Sequence, residues 1–593
     1  MKWYQGQIKL SITNKDLNIE KKVIRKFPNI NIIGSSSNNF IDGNYSEISN
    51  LEYINTQNNE LTEKILFFGD AEIFNSDFLK KKYSIGTDLI ISLYKHIGID
   101  FIKELYGEFS FVLIDIIKKE VILATDHLGI KPLFWTIHRE MIVYASDLFL
   151  LEEYYDPNKL NKEYFKEYID NNGQISSKLT PYSDVERVEG GNYIKISYDK
   201  WKINTTTYWD LSSIVEKIQY KDEKEYIDEF REILKDSISN RLARKDKNAV
   251  LMSGGLDSTS IFALSKSYFD KDIKPISGVF DKLKSCDERY FIEMVLDKYN
   301  TDKIYVKCDE FGMLKGYPED YIRTDEPYID SLNLELTKNL IMESSRVSRI
   351  NLIDGYAADH LLSGSLINVL DKIKSCQMSD AFKDIVEISI MENNSVFESI
   401  NRYIFTPLIN KSSFPEFDDS MFERIRKRFS KNMGYNQKQL YIEIFNAKSY
   451  HCLDREIAPL YNVTSRHPFL DKELLEYIYK IPGDFRSNRK YNKYILREAI
   501  KGFLPEEIIE RITKTQHVSL TFKGINENWH KIYKDACDFK LSFLDILGIS
   551  KHEWIEELMR FRNGQINDGN FMALLSLELW FANHFDGCKS YNH

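Results

Sequence analysis

Cysteine is scarce in this chain, and the positions of the few that occur exclude two kinds of site. The 593 residues include six cysteines, of which the first is Cys286, and no CxxC pair occurs. Without such spacing neither a zinc site nor a disulfide framework is indicated. Reduced and mostly buried thiols are therefore expected.

Long apolar runs and an excess of basic charge are also missing. No stretch approaches the roughly 20 apolar residues of a membrane span, and the first ten residues, MKWYQGQIKL, lack the apolar core of a secretion signal. The formal net charge is −10, whereas a nucleic-acid-binding body normally carries a basic face. These absences predict a soluble cytoplasmic protein that binds neither nucleic acid nor a membrane.

What is present indicates two domains, 1–210 and 211–593. The first is rich in short β segments such as KILFF, FSFVLIDI, EVILATD and MIVYASD, which one helical pattern at 87–105 interrupts. In the second, the apolar runs NAVLM, IKPISGVF, DKIYVKC and RINLIDG are each followed by a helical pattern. That alternation is typical of a parallel sheet wrapped by helices. After residue 370 the pattern predicts helices almost throughout, so the fold class is multidomain α/β.

The stretch SGGLDS, residues 253–258, lies between a predicted strand and a predicted helix. Glycines let backbone N–H groups approach an anion, hydroxyls add donors, and the helix N-terminus is positive. Asp257 would repel a phosphate, but it suits a Mg²⁺ ion that bridges phosphates. The alternative is a tight turn capped by serine. The predicted nucleotide-binding set is Ser253, Gly254, Gly255, Leu256, Asp257, Ser258 and Thr259, together with Gly278 and Gly355 from two later runs.

A second acidic turn, NLIDGYAADHLLSG, covers residues 351–364 and places Asp359 at the carboxyl edge of the predicted sheet. Ligands of open α/β folds gather at that edge. Asp257 and Asp359 are therefore predicted to share Mg²⁺, although Asp359 taken alone is equally typical of a helix N-cap.

SGGxDS resembles the pyrophosphate loop of the ATP pyrophosphatases, and the whole chain resembles the asparagine synthetase B family. LYGEFSFVLIDIIKKEVILATDHLGIKPLFW is similar to that family's amidotransferase signature. GGLDS, SCDERYF, TDEPYIDS, GYAADHLLSG, SRHPFLDKELLEYIYKIP and KYILREAIKGFLPEEIIERITKT follow, in order, like blocks of its synthetase domain. The resemblance implies an N-terminal Ntn-type β sandwich, a C-terminal ATP-pyrophosphatase domain, and ATP with Mg²⁺ as cofactors.

The N-terminal half departs from the family where its chemistry would lie. Lys2 stands where the family has its nucleophilic cysteine, and a lysine supplies no thiolate. The oxyanion-hole Asn-Gly falls on Asp70-Ala71, and a carboxylate there would repel an oxyanion. The aspartate that holds the glutamine amine aligns with Gly86. These three changes predict an inactive glutaminase domain that serves as a scaffold or as a peptide-binding surface.

Tyr356 occupies a position where ammonia-using members carry glutamate. In that respect the chain resembles the β-lactam and carbapenam synthetases, in which a tyrosine hydrogen-bonded to a glutamate deprotonates an amine on the substrate. Glu387 and Glu392 are both candidates for that glutamate. Packing of the Tyr356 ring against the loop is the alternative role.

The two-domain plan without a leading cysteine also resembles the lasso-peptide cyclases, which adenylate a side-chain carboxylate that the peptide's own N-terminal amine then attacks. The expected partners are thus a precursor peptide or small carboxylate, with a leader-peptide-binding protein and a protease. An ammonia-dependent asparagine synthetase or another small-molecule amide ligase is a second hypothesis. A non-catalytic nucleotide-binding paralogue is the third.

By the same resemblance, Lys514 of the RITKT segment is expected to stabilise the transition state and the leaving pyrophosphate, with help from Arg511. Asp454 and Arg455 are expected to be structural. Arg466 and His467 precede a PFLD turn, where His467 is expected to be a packed core residue rather than a catalyst.

Overall fold

The computed structural model divides into two compact units. One contains the described residues within 1–165 and 175–210, and the other contains those within 166–174 and 211–588. The structure describes residues 5–10, 17–20, 54–55 and 65–585, except for 87, 140, 174–177, 215, 244–247, 270–271, 317–323, 348–350, 364–367, 392–393, 407–428, 430–432, 451, 489–490, 514, 516–517, 539–547 and 566–568.

The first unit is built on two antiparallel sheets. Its described strands are β1 (Gln5–Leu10), β2 (Leu17–Glu20), β3 (Ile54–Asn55), β4 (Ile65–Ile73), β5 (Gly107–Asp115), β6 (Glu120–Thr125), β7 (Phe134–His138), β8 (Met141–Ala145), β9 (Glu186–Arg187), β10 (Asn192–Ser197) and β11 (Lys202–Thr207). One sheet has the order β3-β2-β1-β8-β7-β9 and the other β11-β10-β6-β5-β4. The expected β segments are confirmed.

Alternation along the strands explains why the two sheets stack. Leu66 and Phe68 of β4 pack with Trp135 and Tyr144 of the other sheet in one buried core. Phe67, between them in sequence, points the other way into a second core with three helices, α1 (Ser76–Tyr83), α2 (Leu89–Ile97) and α3 (Phe101–Glu104). Each fully buried side chain of this kind contributes roughly 1.5–3 kcal/mol. The predicted sandwich with helices is confirmed.

The second unit is built on a five-stranded parallel sheet. Its strands are β12 (Asn248–Leu251), β13 (Ile273–Val279), β14 (Ile304–Lys307), β15 (Asn351–Ile353) and β16 (Thr464–Arg466), in the order β14-β13-β12-β15-β16. The four apolar runs become β12 to β15 as expected. The fifth strand, β16, is a short exception to the helices expected almost throughout after residue 370, and it was not predicted because its three residues, Thr-Ser-Arg, contain no apolar run.

The remaining described helices follow in chain order, and all except the first lie wholly in the second unit. They are α4 (Lys162–Asp170), α5 (Glu223–Arg241), α6 (Leu256–Phe269), α7 (Arg289–Lys298), α8 (Leu334–Arg346), α9 (Ala358–Leu362), α10 (Asn368–Lys374), α11 (Met378–Met391), α12 (Val396–Ile400), α13 (Tyr435–Tyr450), α14 (Cys452–Ile457), α15 (Lys472–Lys480), α16 (Tyr494–Ala499), α17 (Glu506–Glu510), α18 (Val518–Asp538), α19 (Lys551–Arg562) and α20 (Gly569–Phe585). Over the described part of the chain, no helix has both the length and the apolar character needed to cross a bilayer.

The strand order fixes where a ligand can be reached. The chain moves outward from β12 through β13 to β14, and then returns to the other side of β12 with β15 and β16. The connections that follow the neighbouring strands β12 and β15 therefore lead in opposite directions along the sheet. A crevice forms between them at the carboxyl edge of the sheet. These two turns are SGGLDS and the acidic turn that ends in Asp359.

Candidate active site

The SGGLDS turn joins β12 to α6 and is held by its own hydroxyl groups. The backbone N–H of Ser253 donates to Ser258 Oγ at 3.0 Å, and that of Gly255 donates to Ser253 Oγ at 3.2 Å. The N–H of Gly254 donates to Oε2 of Glu288, at the start of α7, at 3.0 Å. The predicted loop residues are thus brought together, and Glu288 is a loop-binding residue that the sequence did not indicate.

The start of α6 supplies the amides that suit an anion. In α6, the first backbone N–H that donates to a carbonyl four residues earlier is that of Thr259, and its acceptor is the Gly255 oxygen. The amides of Leu256, Asp257 and Ser258 precede it, and first-turn amides have no acceptor within a helix. Together with the helix dipole, these amides are suited to bind a phosphate. Gly278 lies one strand away, in β13.

The acidic turn after β15 packs directly on the loop. A Cβ atom added to Gly355 would lie 2.7 Å from the Ser258 backbone nitrogen and 2.8 Å from Asp257 Cβ. Ala357 follows with φ 68°, and Asp359 lies in the first turn of α9. A non-glycine residue held in the left-handed region costs about 1–3 kcal/mol and is common at functional sites.

Lys493 joins the two acidic residues. Its Nζ lies 2.6 Å from Asp257 Oδ2, 2.7 Å from Asp257 Oδ1 and 2.7 Å from Asp359 Oδ1. The Lys493 and Asp257 side chains are 11% and 18% exposed, whereas that of Asp359 is 48% exposed and open to solvent. Lys493 was not among the predicted site residues. Its one signal in the sequence is its position as the first residue of the KYILREA block.

The two carboxylates that contact the Lys493 ammonium are also suited to bind Mg²⁺. Asp257 and Asp359 offer only oxygen atoms, the ligands that Mg²⁺ prefers, and both lie within reach of a single cation beside the phosphate-binding amides. The exposed side of Asp359 leaves room for the water molecules that Mg²⁺ usually keeps. The donor set therefore fits the predicted ion.

Arg511 also contacts the SGGLDS loop through its guanidinium. Its guanidinium donates to the Gly254 carbonyl at 3.0 Å and to Glu288 Oε1 at 3.1 Å, and it stacks 3.9 Å above the Phe291 ring. It also donates to Thr515 Oγ1 at 2.7 Å. Lys514 lies outside the described residues, but Thr515, next to it in the chain, is thus linked through Arg511 to the loop.

Arg497 supports the same segment. It donates to the carbonyl oxygens of Ile509 and of Arg511, the latter at 2.9 Å. Burial lowers the pKa of its guanidinium, and the nearby Asp257 carboxylate partly offsets that effect. The arginine of the LREA block is therefore a positioning residue for Arg511.

Tyr356 lies beside two histidine–carboxylate pairs. Its hydroxyl donates to the Ala447 carbonyl at 2.6 Å, and its ring centroid is 5.3 Å from that of His467. His467 Nδ1 lies 2.9 Å from Asp354 Oδ1 and is buried, with 4% exposure. On the other side, His360 Nδ1 lies 2.9 Å from Glu443 Oε2.

Of the two glutamates expected to partner Tyr356, Glu387 is the one that lies within the described residues. Glu387 lies in α11, and its buried Oε2 makes no hydrogen bond among the described residues. Glu392 lies outside those residues. Within the described part, Glu443 is a carboxylate that reaches the surroundings of Tyr356, through His360.

The two residues expected to be structural lie in α14. Arg455 is buried, and its Nη2 is 3.9 Å from Glu456 Oε1. The side chain of Asp454 lies outside the described residues. Arg466 ends β16 and is also buried.

In the first unit the position expected of the oxyanion hole contains a buried ion pair. Asp70 Oδ1 lies 2.8 Å from Lys131 Nζ, and their side chains are only 6% and 8% exposed. Ala71 follows in β4 and pairs with Phe109 of β5. Gly86 lies on the surface with no atom within 4 Å of an added Cβ, and Lys2 lies outside the described residues.

Asp126 fixes the turn that carries Lys131. Its two carboxylate oxygens accept four backbone N–H groups, one of them that of Lys131 at 3.0 Å. Burial raises the pKa of Asp126 to about 6, and these hydrogen bonds oppose the rise. The Asp70–Lys131 pair is thus held by a rigid, fully buried turn.

Comparisons with known proteins agree with this arrangement. The asparagine synthase family profile matches residues 229–582, and a glutamine amidotransferase domain profile matches residues 58–209. Asparagine synthetase [glutamine-hydrolyzing] 2 of Bacillus subtilis is 23% identical over 577 residues, which cover 90% of this chain and 74% of that protein. Amidase chry2 of Gibberella zeae is 25% identical over 492 residues, which cover 71% of each chain.

Among solved structures, the glutamine phosphoribosylpyrophosphate amidotransferase of B. subtilis matches with a TM-score of 0.19 and 11% identity, over 50% of this chain and 62% of that one. The family profile spans more than half of the chain and contains the SGGLDS loop, the acidic turn after β15 and the Lys493 and Arg511 segments. The chain belongs to the asparagine synthase family, whose domain supports ATP-dependent amide ligation.

Proposed function

We propose that this protein forms an amide bond by transferring AMP from ATP to a carboxylate and then letting an amine displace the AMP. The observation that carries the proposal is the meeting of Asp257, Asp359 and Lys493 at the N-terminus of α6. Helix N-terminal amides, a pair of carboxylates and a lysine ammonium in one crevice suit a reaction that releases pyrophosphate.

In this scheme residues 253–259 bind the phosphates of ATP, and Asp257 and Asp359 hold Mg²⁺. Bound Mg²⁺ would neutralise charge on the triphosphate. The substrate carboxylate attacks the α-phosphorus, and the bond to the bridging oxygen breaks as pyrophosphate leaves. Lys493 is the described cation closest to the carboxylate pair, so it shares with Lys514 the role of stabilising the departing charge.

The amine is proposed to come with the substrate rather than from glutamine. This part of the proposal is supported by Asp70, whose carboxylate, buried in a pair with Lys131, falls at the position expected of the oxyanion hole, where a hydrogen-bond donor would be needed. Tyr356 then takes part in the proton transfer from the attacking amine. The surroundings of Tyr356 contain Asp354 and Glu443, which favour a cationic ammonium over a neutral or acidic group.

We propose a peptide as the substrate, in which the N-terminal amine attacks an activated Asp or Glu side chain of the same chain and closes a macrolactam. Relatives with similar coverage have different names, asparagine synthetase in bacteria and amidase in fungi. A first unit without the glutaminase residues favours a tethered amine over ammonia.

The test uses peptides with a free N-terminus and one acidic side chain, incubated with ATP and Mg²⁺. Matched controls have an acetylated N-terminus or an Asn or Gln in place of the acid. We expect AMP release and a peptide that has lost one water only when both groups are free. Asparagine formed from aspartate and ammonium, with no reaction of any peptide, would favour the asparagine synthetase hypothesis instead. Nucleotide binding without pyrophosphate release from either substrate would favour the non-catalytic paralogue.

A further inference from the structure

Lys493 combines three properties that are uncommon for a lysine, namely a mostly buried side chain, a left-handed backbone and contact with two carboxylates. Its side chain is 11% exposed, its φ is 58°, and its ammonium touches three carboxylate oxygens on two turns. A left-handed backbone at a lysine is maintained only where the surroundings enforce it. The fold therefore holds the ammonium between Asp257 and Asp359.

The backbone of Lys493 is fixed, so only its side chain can move. The Tyr494 N–H donates to the carbonyl of the fully buried Arg486, and the Arg497 N–H donates to the carbonyl of Lys493 itself. The side chain has four carbon–carbon bonds about which it can rotate. The ammonium can thus leave the carboxylates without any rearrangement of α16.

We propose that Lys493 is a built-in competitor for the divalent ion, so that Asp257 and Asp359 accept the ion together with a triphosphate and bind the free ion poorly. A divalent ion on both carboxylates must take oxygens from the ammonium. The displaced ammonium then lies beside a like charge, with no carboxylate left to face it. The phosphates of a nucleotide supply the anionic partner, and the exchange becomes favourable.

The proposal takes from the proposed function only that a triphosphate binds at α6. If Lys493 competes in this way, the site binds Mg²⁺ together with the nucleotide and not before it. A pair of carboxylates without such an internal cation would bind free Mg²⁺ before the nucleotide arrives.

The test measures Mn²⁺ binding by electron paramagnetic resonance, on the full chain without nucleotide or carboxylic substrate. For the unmodified protein we expect a Kd weaker than about 1 mM, the range of weak cation sites. Lys493→Met should bind Mn²⁺ at least about tenfold more tightly, because the competing charge is gone. Lys493→Arg keeps the charge and should remain weak.

The double variant Lys493→Met/Asp359→Asn identifies the site of the gain. It should lose the added affinity, and retention of that affinity would overturn the proposal. If Lys493→Met does not fold, Lys493→Gln takes its place. Binding of Mn²⁺ by the unmodified protein at micromolar concentration would overturn the proposal without any variant. Because no ATP is present, a failure of amide synthesis leaves this result unaffected.

Discussion

Gly355 is the position where one methyl group should disrupt the nucleotide site. A Cβ there would lie 2.7 Å from the Ser258 nitrogen, 2.8 Å from Asp257 Cβ and 2.9 Å from the Asp257 carbonyl carbon. Ordinary contacts begin at 3.4 Å, so the acidic turn and the loop must separate by about 0.5–0.7 Å. Overpacking of this kind costs about 1–3 kcal/mol of folding free energy.

Gly355→Ala should also weaken ligand binding, because the separation moves Asp257 away from Asp359. We expect the Kd for a non-hydrolysable ATP analogue with Mg²⁺, measured by calorimetry, to rise at least about tenfold, which corresponds to 1.4 kcal/mol. Urea unfolding gives the accompanying loss of stability. Gly86→Ala is the matched control, since its added Cβ meets no atom within 4 Å. A Gly355→Ala protein with unchanged affinity and unchanged stability would refute the packing described for this crevice.

Further predictions concern charge. Lys493→Met and Lys514→Ala should each lower AMP formation by about 10²–10³, the usual effect of removing one stabiliser of transition-state charge. Lys514→Ala should do so with little change in the unfolding midpoint. Lys131→Met leaves the Asp70 carboxylate buried without its ammonium, which should destabilise the protein by up to about 3–5 kcal/mol in urea unfolding. Burial raises the pKa of Asp126 from 3.8 to about 6, so its contribution to stability is fully present below about pH 4 and is lost as the pH rises through 6. In Asp126→Asn, which also disturbs four hydrogen bonds, the pH dependence of unfolding between pH 4 and 7 should change by roughly 3 kcal/mol relative to the unmodified protein.

Matched variants separate these effects from general destabilisation. Lys372 also bridges two carboxylates, Asp384 at 2.6 Å and Asp484 at 2.9 Å, away from the nucleotide loop. Lys372→Met should therefore leave AMP formation unchanged, and a loss equal to that of Lys493→Met would contradict a specific role for Lys493. A pH profile of Asp126→Asn parallel to that of the unmodified protein would contradict the raised pKa.

The sequence was sufficient for the folds of both units because their signals are local. Leu66, Phe67 and Phe68 alternate between two cores, and the apolar runs at 248–251 and 351–353 become neighbouring parallel strands. β16 was missed because a three-residue polar strand depends on pairing with β15 rather than on its own composition. Such a strand has no periodicity from which to predict it.

The candidate site was predictable where it follows from a turn at a strand end, as with Asp257 and Asp359. Lys493 was not, because its role depends on a left-handed backbone far along the chain that brings its ammonium to both carboxylates. Glu288 and Glu443 were missed for the same reason, since each acts across a long sequence separation. The partner of Tyr356 could not be chosen from spacing, and the described acceptor of its hydroxyl is the Ala447 carbonyl.

Transfer of a labelled oxygen tests the central claim of carboxylate adenylation most directly. The peptide or small carboxylate that supports turnover is labelled with ¹⁸O in its carboxyl group, and the phosphorus products are analysed by mass spectrometry. If the carboxylate attacks the α-phosphorus, one ¹⁸O must appear in AMP and none in pyrophosphate. Appearance of the label in inorganic phosphate, together with ADP, would contradict the account.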